Sequence, residues 1–182
     1  EGSANLLLRK YGMDPVRDVI WVALGTGGRV SSLIAKTVDS AVLGFADSRT
    51  LQTRGYPVHE IANIGKEIKM LYTGLATSEE MLIKRPDVVR RFIRATVKGR
   101  EFLKRYKTQS LALGKKYDRA PDDVRSADYD ATMEMMTADG TEHLETQKSD
   151  IDISRRALAV QKEIPTDQVF DFRLTREVYK EL

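Results

Sequence analysis

The sequence predicts an α/β fold, a mainly parallel sheet followed by a mostly helical C-terminal extension, on three observations. Val19-Ile20-Trp21-Val22-Ala23-Leu24 is a nearly continuous apolar run, the pattern of a strand covered on both faces. Gly25-Thr26-Gly27-Gly28 interrupts it, and Val30, Leu33, Ile34, Thr37 and Val38 then recur with the three-and-four spacing of a helix's buried side. Strand-type runs return at Ala41-Val42-Leu43-Gly44-Phe45, at 58–61 and at 68–76. Such alternation implies right-handed crossovers and parallel pairing.

Ser3 is placed to cap a first helix carrying Leu6, Leu7, Leu8 and Tyr11, with Gly12 as its stop. Asp14-Pro15 makes the turn into the first strand. Ser48 can cap a short helix ending at Gly55, and Ser78 caps another after the fourth strand. Pro86 suits a first helical position, and Val88, Val89, Phe92, Ile93, Thr96 and Val97 form the stripe of what should be the longest helix. Further helices are expected around 110–117, 121–136, 151–164 and 173–182, separated by Asp139-Gly140 and Pro165. The change of pattern divides the chain into an α/β lobe over 1–66 and a return segment with helical extension over 67–182.

With 182 residues, 41% hydrophobic and 31% charged, the chain has the composition of a globular protein, and no apolar run approaches the roughly 20 residues of a membrane span. There is no cysteine, which removes disulfides and thiolate chemistry. A net charge of +3 comes without a nucleic-acid-binding motif, so no nucleic-acid partner is expected. His59 and His143 lack zinc-motif spacing, and Asp122, Asp123, Asp128, Asp130 and Asp139 lack the alternation of a calcium loop. Met133, Met135 and Met136 read as gap-filling core. Neither metal nor cofactor is expected. The chain opens Glu1-Gly2-Ser3 with no basic and apolar leader, so an export signal, if the protein has one, is expected upstream.

Several segments, in order, resemble the second lobe of nitrate/sulfonate/taurine-type periplasmic binding proteins, whose relatives carry thiamine pyrimidine precursors. They are Gly2-Ser3 at a helix start, Tyr11-Gly12-Met13-Asp14-Pro15 with Val19-Ile20-Trp21-Val22, and Val38-Asp39-Ser40-Ala41-Val42-Leu43-Gly44. Arg85-Pro86-Asp87-Val88-Val89-Arg90-Arg91-Phe92 is similar to that family's long return helix, and Phe170-Asp171-Phe172-Arg173 with Arg176-Glu177-Val178 to its ending. The resemblance implies a type II binding-protein lobe, with the early part of the first lobe outside this chain. It implies an extracytoplasmic, periplasmic solute-binding component of an ABC importer, a membrane permease as partner, and a small anionic or heteroaromatic solute gripped without being transformed.

Binding would fall on helix N-termini, where unpaired N–H groups and the macrodipole favour negative charge. Gly2, Ser3 and Ala4 open the first helix and Thr26, Gly27 and Gly28 the second; Ser3 and Thr26 add hydroxyls, or Ser3 is only a cap and the glycines only a turn. Gly44 and Phe45, and Thr73 and Gly74, end strands where further cleft residues are expected; Phe45 stacks on a ligand or packs in the core. The glycine turn lacks the Gly-Lys-Ser/Thr of a P-loop. Arg90, Arg91, Arg94 and Lys98 read as a solvated face or a docking face for an acidic permease. Apolar surface left by a missing lobe could pair two copies as a homodimer. Two other readings share the fold: the effector-binding domain of a transcription regulator, and a thiamine-pyrimidine-precursor synthase, whose cysteine-rich motif has no counterpart here.

Overall fold

The computed structural model describes residues 2–182. It is 58% helical and holds no strand among those residues, which overturns the expected α/β lobe with a parallel sheet. The apolar runs at 19–24, 41–44, 58–61 and 68–76 are indeed non-helical, but no backbone ladder joins them to one another. Nor are they covered on both faces: Ile20 is 93% exposed, Ile61 86% and Tyr72 80%. A helix closes its hydrogen bonds within one segment, whereas a strand needs a neighbour to supply them. Apolar periodicity reports what a segment would accept, and not whether a neighbour is there.

The described residues form two compact units, one made of 2–68 with 118–130 and the other of 69–117 with 131–182. In the first, α1 (Gly2–Lys10) stops before the predicted Gly12, α2 spans Gly25–Ile34, α3 Phe45–Thr53 and α4 Ile64–Glu67. Ser48 lies inside α3 and does not cap it; Gly44 is the N-cap. Helix α1 packs on α4. Lys10 Nζ is ion-paired with the Glu67 carboxylate, and Tyr11 donates its hydroxyl to Glu67 Oε1 at 3.1 Å. Ala4, Pro15 and Leu51 are buried in this unit. Arg125, its side chain only 10% exposed, donates to Asp118 and Asp122 at 2.7 Å each and to the Ala120 carbonyl. A guanidinium so withdrawn from water requires such partners.

In the second unit, Ser78 caps α5 (Glu79–Lys84) as expected, accepting from the Met81 N–H at 3.2 Å. Pro86 opens α6 (Pro86–Arg105), at 20 residues the longest helix. Helices α7 (Lys107–Gly114), α9 (Leu144–Ala157) and α10 (Arg173–Lys180) follow, with a 3-10 turn at Thr166–Gln168, while α8 (Asp122–Met135) belongs to the first unit up to residue 130 and to the second from 131. Helix α9 begins seven residues before the expected 151, because His143, with no side-chain acceptor bonded to the helix, is its N-cap and the apolar spacing alone does not mark that start.

Helix α10 lies along α6. Val97 and Val178, 3% and 0% exposed, are buried in this unit, and Arg90 and Arg94 reach from α6 to Glu177 and Glu181, Arg90 to Glu177 at 3.0 Å. Two of the four basic residues read as a solvated or docking face are therefore committed to the protein's own last helix. Gly140, with φ +70, sits where an added Cβ would lie 2.8 Å from Arg100 Nη1 and 3.2 Å from the Tyr179 ring. No other residue fits there without displacing them.

Two helices end in a left-handed residue that is not glycine. After α2, Lys36 has φ +56, with its N–H on the Leu33 carbonyl and the Thr37 N–H on Ser32; after α9, Ala159 has φ +54, with its N–H on Arg156 and the Val160 N–H on Arg155. Both are Schellman turns, which glycine occupies without a Cβ penalty. Lys36→Gly and Ala159→Gly are each expected to raise unfolding free energy by about 1 kcal/mol in urea titrations. In the same assay Val178→Ala should cost about 2 kcal/mol through lost burial, while Glu181→Gln should cost less than about 1 kcal/mol because its ion pairs are solvent-exposed.

Candidate functional site

The residues expected to bind solute do open helices. Gly2, Ser3 and Ala4 form the first turn of α1, so Ser3 stands within the helix and not at its cap. Thr26, Gly27 and Gly28 form the first turn of α2 by their backbone; the Thr26 side chain lies outside the described residues. Gly44 is the N-cap of α3 and Phe45 its first residue, 38% exposed. Thr73 and Gly74 belong to the other unit, in an exposed segment without regular structure.

Helix α2, like α7, starts with neither a side-chain cap nor an acidic residue in its first turn. Its N-cap is Leu24, which has no side-chain acceptor, and its first turn holds no acidic residue. Gly25 takes φ +63 with nothing within 4 Å of where a Cβ would be, so the backbone is both left-handed and open there. The first N–H groups of a helix have no intrahelical acceptor, and here no side chain caps them. Helix α3 differs. Gly44 caps it without a side chain, but Asp47 lies in the first turn, with Oδ2 4.0 Å from the position of a Gly44 Cβ. That carboxylate already answers the α3 dipole, so an incoming anion gains more at α2.

Arg29 links the two starts. Its Nε donates to the Gly25 carbonyl at 3.3 Å and its Nη1 to the Val42 carbonyl at 3.1 Å. Val42 precedes Gly44 by two residues, a reach of at most about 7 Å along the chain. The structure thus brings the α2 turn and the approach to α3 around one guanidinium. Among the described residues no hydrogen bond joins the first turn of α1 to that of α2; α1 is fixed instead through Lys10, Tyr11 and Glu67.

Sequence reasoning missed Arg29, although a signal was present. A cation within a turn of a helix N-terminus opposes the macrodipole and so asks for a compensating role. The α2 turn offers fixed N–H donors beside a guanidinium, a set suited to holding an oxyanion by hydrogen bonds. Among the described residues, no group of three or more His, Asp or Glu could hold a metal ion.

The α1–α4 clamp gives a pH prediction. Hydrogen bonds from Lys10 first, and then Tyr11, hold the Glu67 carboxyl below the ordinary glutamate range. A depressed carboxylate adds stability above its unfolded pKa and loses it as pH falls through its folded one. Carbon-13 titration of Glu67 should therefore give a midpoint below 4.5, and Lys10→Met should move it upward.

The protein-family model described as NMT1/THI5 like matches residues 2–109, more than half of the chain and all of α1, α2, α3 and Arg29. No curated protein and no solved structure matches.

Proposed function

On the premise that this chain belongs to the NMT1/THI5-like family, a match that supports the nitrate/sulfonate/taurine-type solute-binding group without singling out a member, we propose that it is the solute-capturing component of an ABC importer. It acts outside the cytoplasm and hands a small anionic or heteroaromatic solute to a membrane permease. The observation that carries this reading is the α2 turn: uncapped glycine N–H groups at a helix start, no acidic residue in that first turn, and Arg29 anchored beside them. Such a site suits holding an anion through backbone N–H groups and releasing it again.

Residues 2–4 of α1 are the second grip in this proposal. Gly44 and Phe45 are proposed as outer contacts.

Thermal unfolding against nitrate, alkyl sulfonates, aromatic carboxylates and pyrimidines tests the proposal. A true solute present at about 100 times its Kd stabilises by about 2.7 kcal/mol. Arg29→Met should weaken that solute about tenfold or more, the worth of a charge-assisted hydrogen bond, while leaving the unliganded melting temperature within a few degrees. A flat response to every class would overturn capture; unchanged affinity in Arg29→Met would remove Arg29 from the site.

A further inference from the structure

Helix α6 packs on α10 and buries Val97, and on its other side Arg91, Phe92, Lys98, Phe102 and Arg105 are all exposed, with Tyr106 exposed just past the helix end. At about 100° per residue these positions, together with the exposed Ala95 and Gly99, fall within an arc of about 140°. The arc has two sides. Arg91, Lys98 and Arg105 recur every seventh residue along one edge, and the three aromatic rings take up the rest. The Phe102 and Tyr106 rings meet with 5.1 Å between centroids, and Phe92 stands about 15 Å from Phe102 along the axis. Ala95 and Gly99 lie between them, with nothing within 4 Å of where a Gly99 Cβ would be, so the rings project past the helix surface.

Three exposed rings on one helix face ask for an apolar partner, and the charge beside them selects its kind. Helix α6 carries seven Lys and Arg against Asp87 and Glu101, a net +5 where the whole chain has +3. Arg90 and Arg94 are committed to Glu177 and Glu181. Arg91 and Arg105 meet only carboxylates one turn away on α6 itself, Asp87 at 3.0 Å and Glu101 at 3.8 Å, and Lys98 has no carboxylate partner among the described residues. A second copy of the chain would bring the same excess of positive charge to the contact. The partner this face fits is therefore both apolar and anionic, along the roughly 21 Å from Arg91 to Arg105. A lipid headgroup layer meets both demands without any register to match, since phosphates run the length of the cation edge and the acyl boundary receives the rings. No helix among the described residues is long and apolar enough to cross a membrane, so the contact is with a surface.

We propose that the exposed arc of α6 lies flat on an anionic lipid surface, with Phe92, Phe102 and Tyr106 entering the boundary between headgroups and acyl chains and Arg91, Lys98 and Arg105 resting on lipid phosphates. The arc lies wholly in the second unit, and the assignment does not rest on solute capture in the first.

Co-sedimentation of the full chain with vesicles tests it. Saturable binding is expected with equal parts phosphatidylglycerol and phosphatidylcholine, little with phosphatidylcholine alone, and weaker binding as added salt screens the charges. Lys98→Gln should weaken binding about fivefold and Phe92→Ala about tenfold. Gly99→Glu sets a carboxylate in the middle of the arc, where nothing crowds it and where glutamate favours the helix over glycine, so it should weaken binding without lowering the melting temperature. Equal binding to both vesicle types, binding to neither, or a Gly99→Glu protein that binds like the parent would overturn the assignment. So would soluble polyglutamate held as tightly as the vesicles, which would make the partner an acidic polypeptide, or a dimer in solution that Phe92→Ala dissolves.

Discussion

A helix satisfies its own backbone everywhere except at its ends, and that constraint governs both what this chain can order by itself and what it has left over for a ligand. Ten α-helices form among the described residues, each closed by bonds between near neighbours in sequence, whereas the strand-type runs have no ladder. The unspent backbone donors collect at helix starts. Those of α5 are answered by Ser78 and those of α4 by Asn63; those of α2, α3, α6, α7 and α9 are answered by no side-chain cap. The proposed site uses those of α2, where Arg29 stands beside the turn.

The helices are held together by a small number of buried contacts reinforced by ion pairs. Val97 and Val178 are the buried residues of the facing helices α6 and α10, and Arg90 and Arg94 fix the register by reaching Glu177 and Glu181. The apolar contact supplies most of the free energy, because exposed ion pairs contribute little. In the first unit Glu67 plays the corresponding part for α1 and α4, so positioning of one helix start depends on a carboxylate that titrates in acid.

Local chemistry was the legible part of the sequence. Ser78 as a cap, Pro86 at a first helical turn, Gly12 just beyond α1 and the glycine turn opening α2 are each decided by residues within a turn of one another. The sheet was not legible, because Val19 to Leu24 has the composition of a buried strand whether or not a neighbour pairs with it. Ser3 and Ser48 were misplaced for a related reason: serine marks a helix start only when nothing earlier already begins it. Arg29 carried a local signal, a cation within a turn of a helix start, but its role comes from a carbonyl thirteen residues away.

The central claim is that the opening turn of α2, with Arg29 beside it, is where an anion is held. Amide and guanidinium chemical shifts recorded while ethanesulfonate is added address it directly. The account predicts that the N–H signals of Gly27 and Gly28 and the Arg29 Nε–H move together along one saturation curve, and that the N–H signals of α6 and α10 stay still. Shifts spread evenly over exposed lysines and arginines, with Gly27 and Gly28 unmoved, would contradict it.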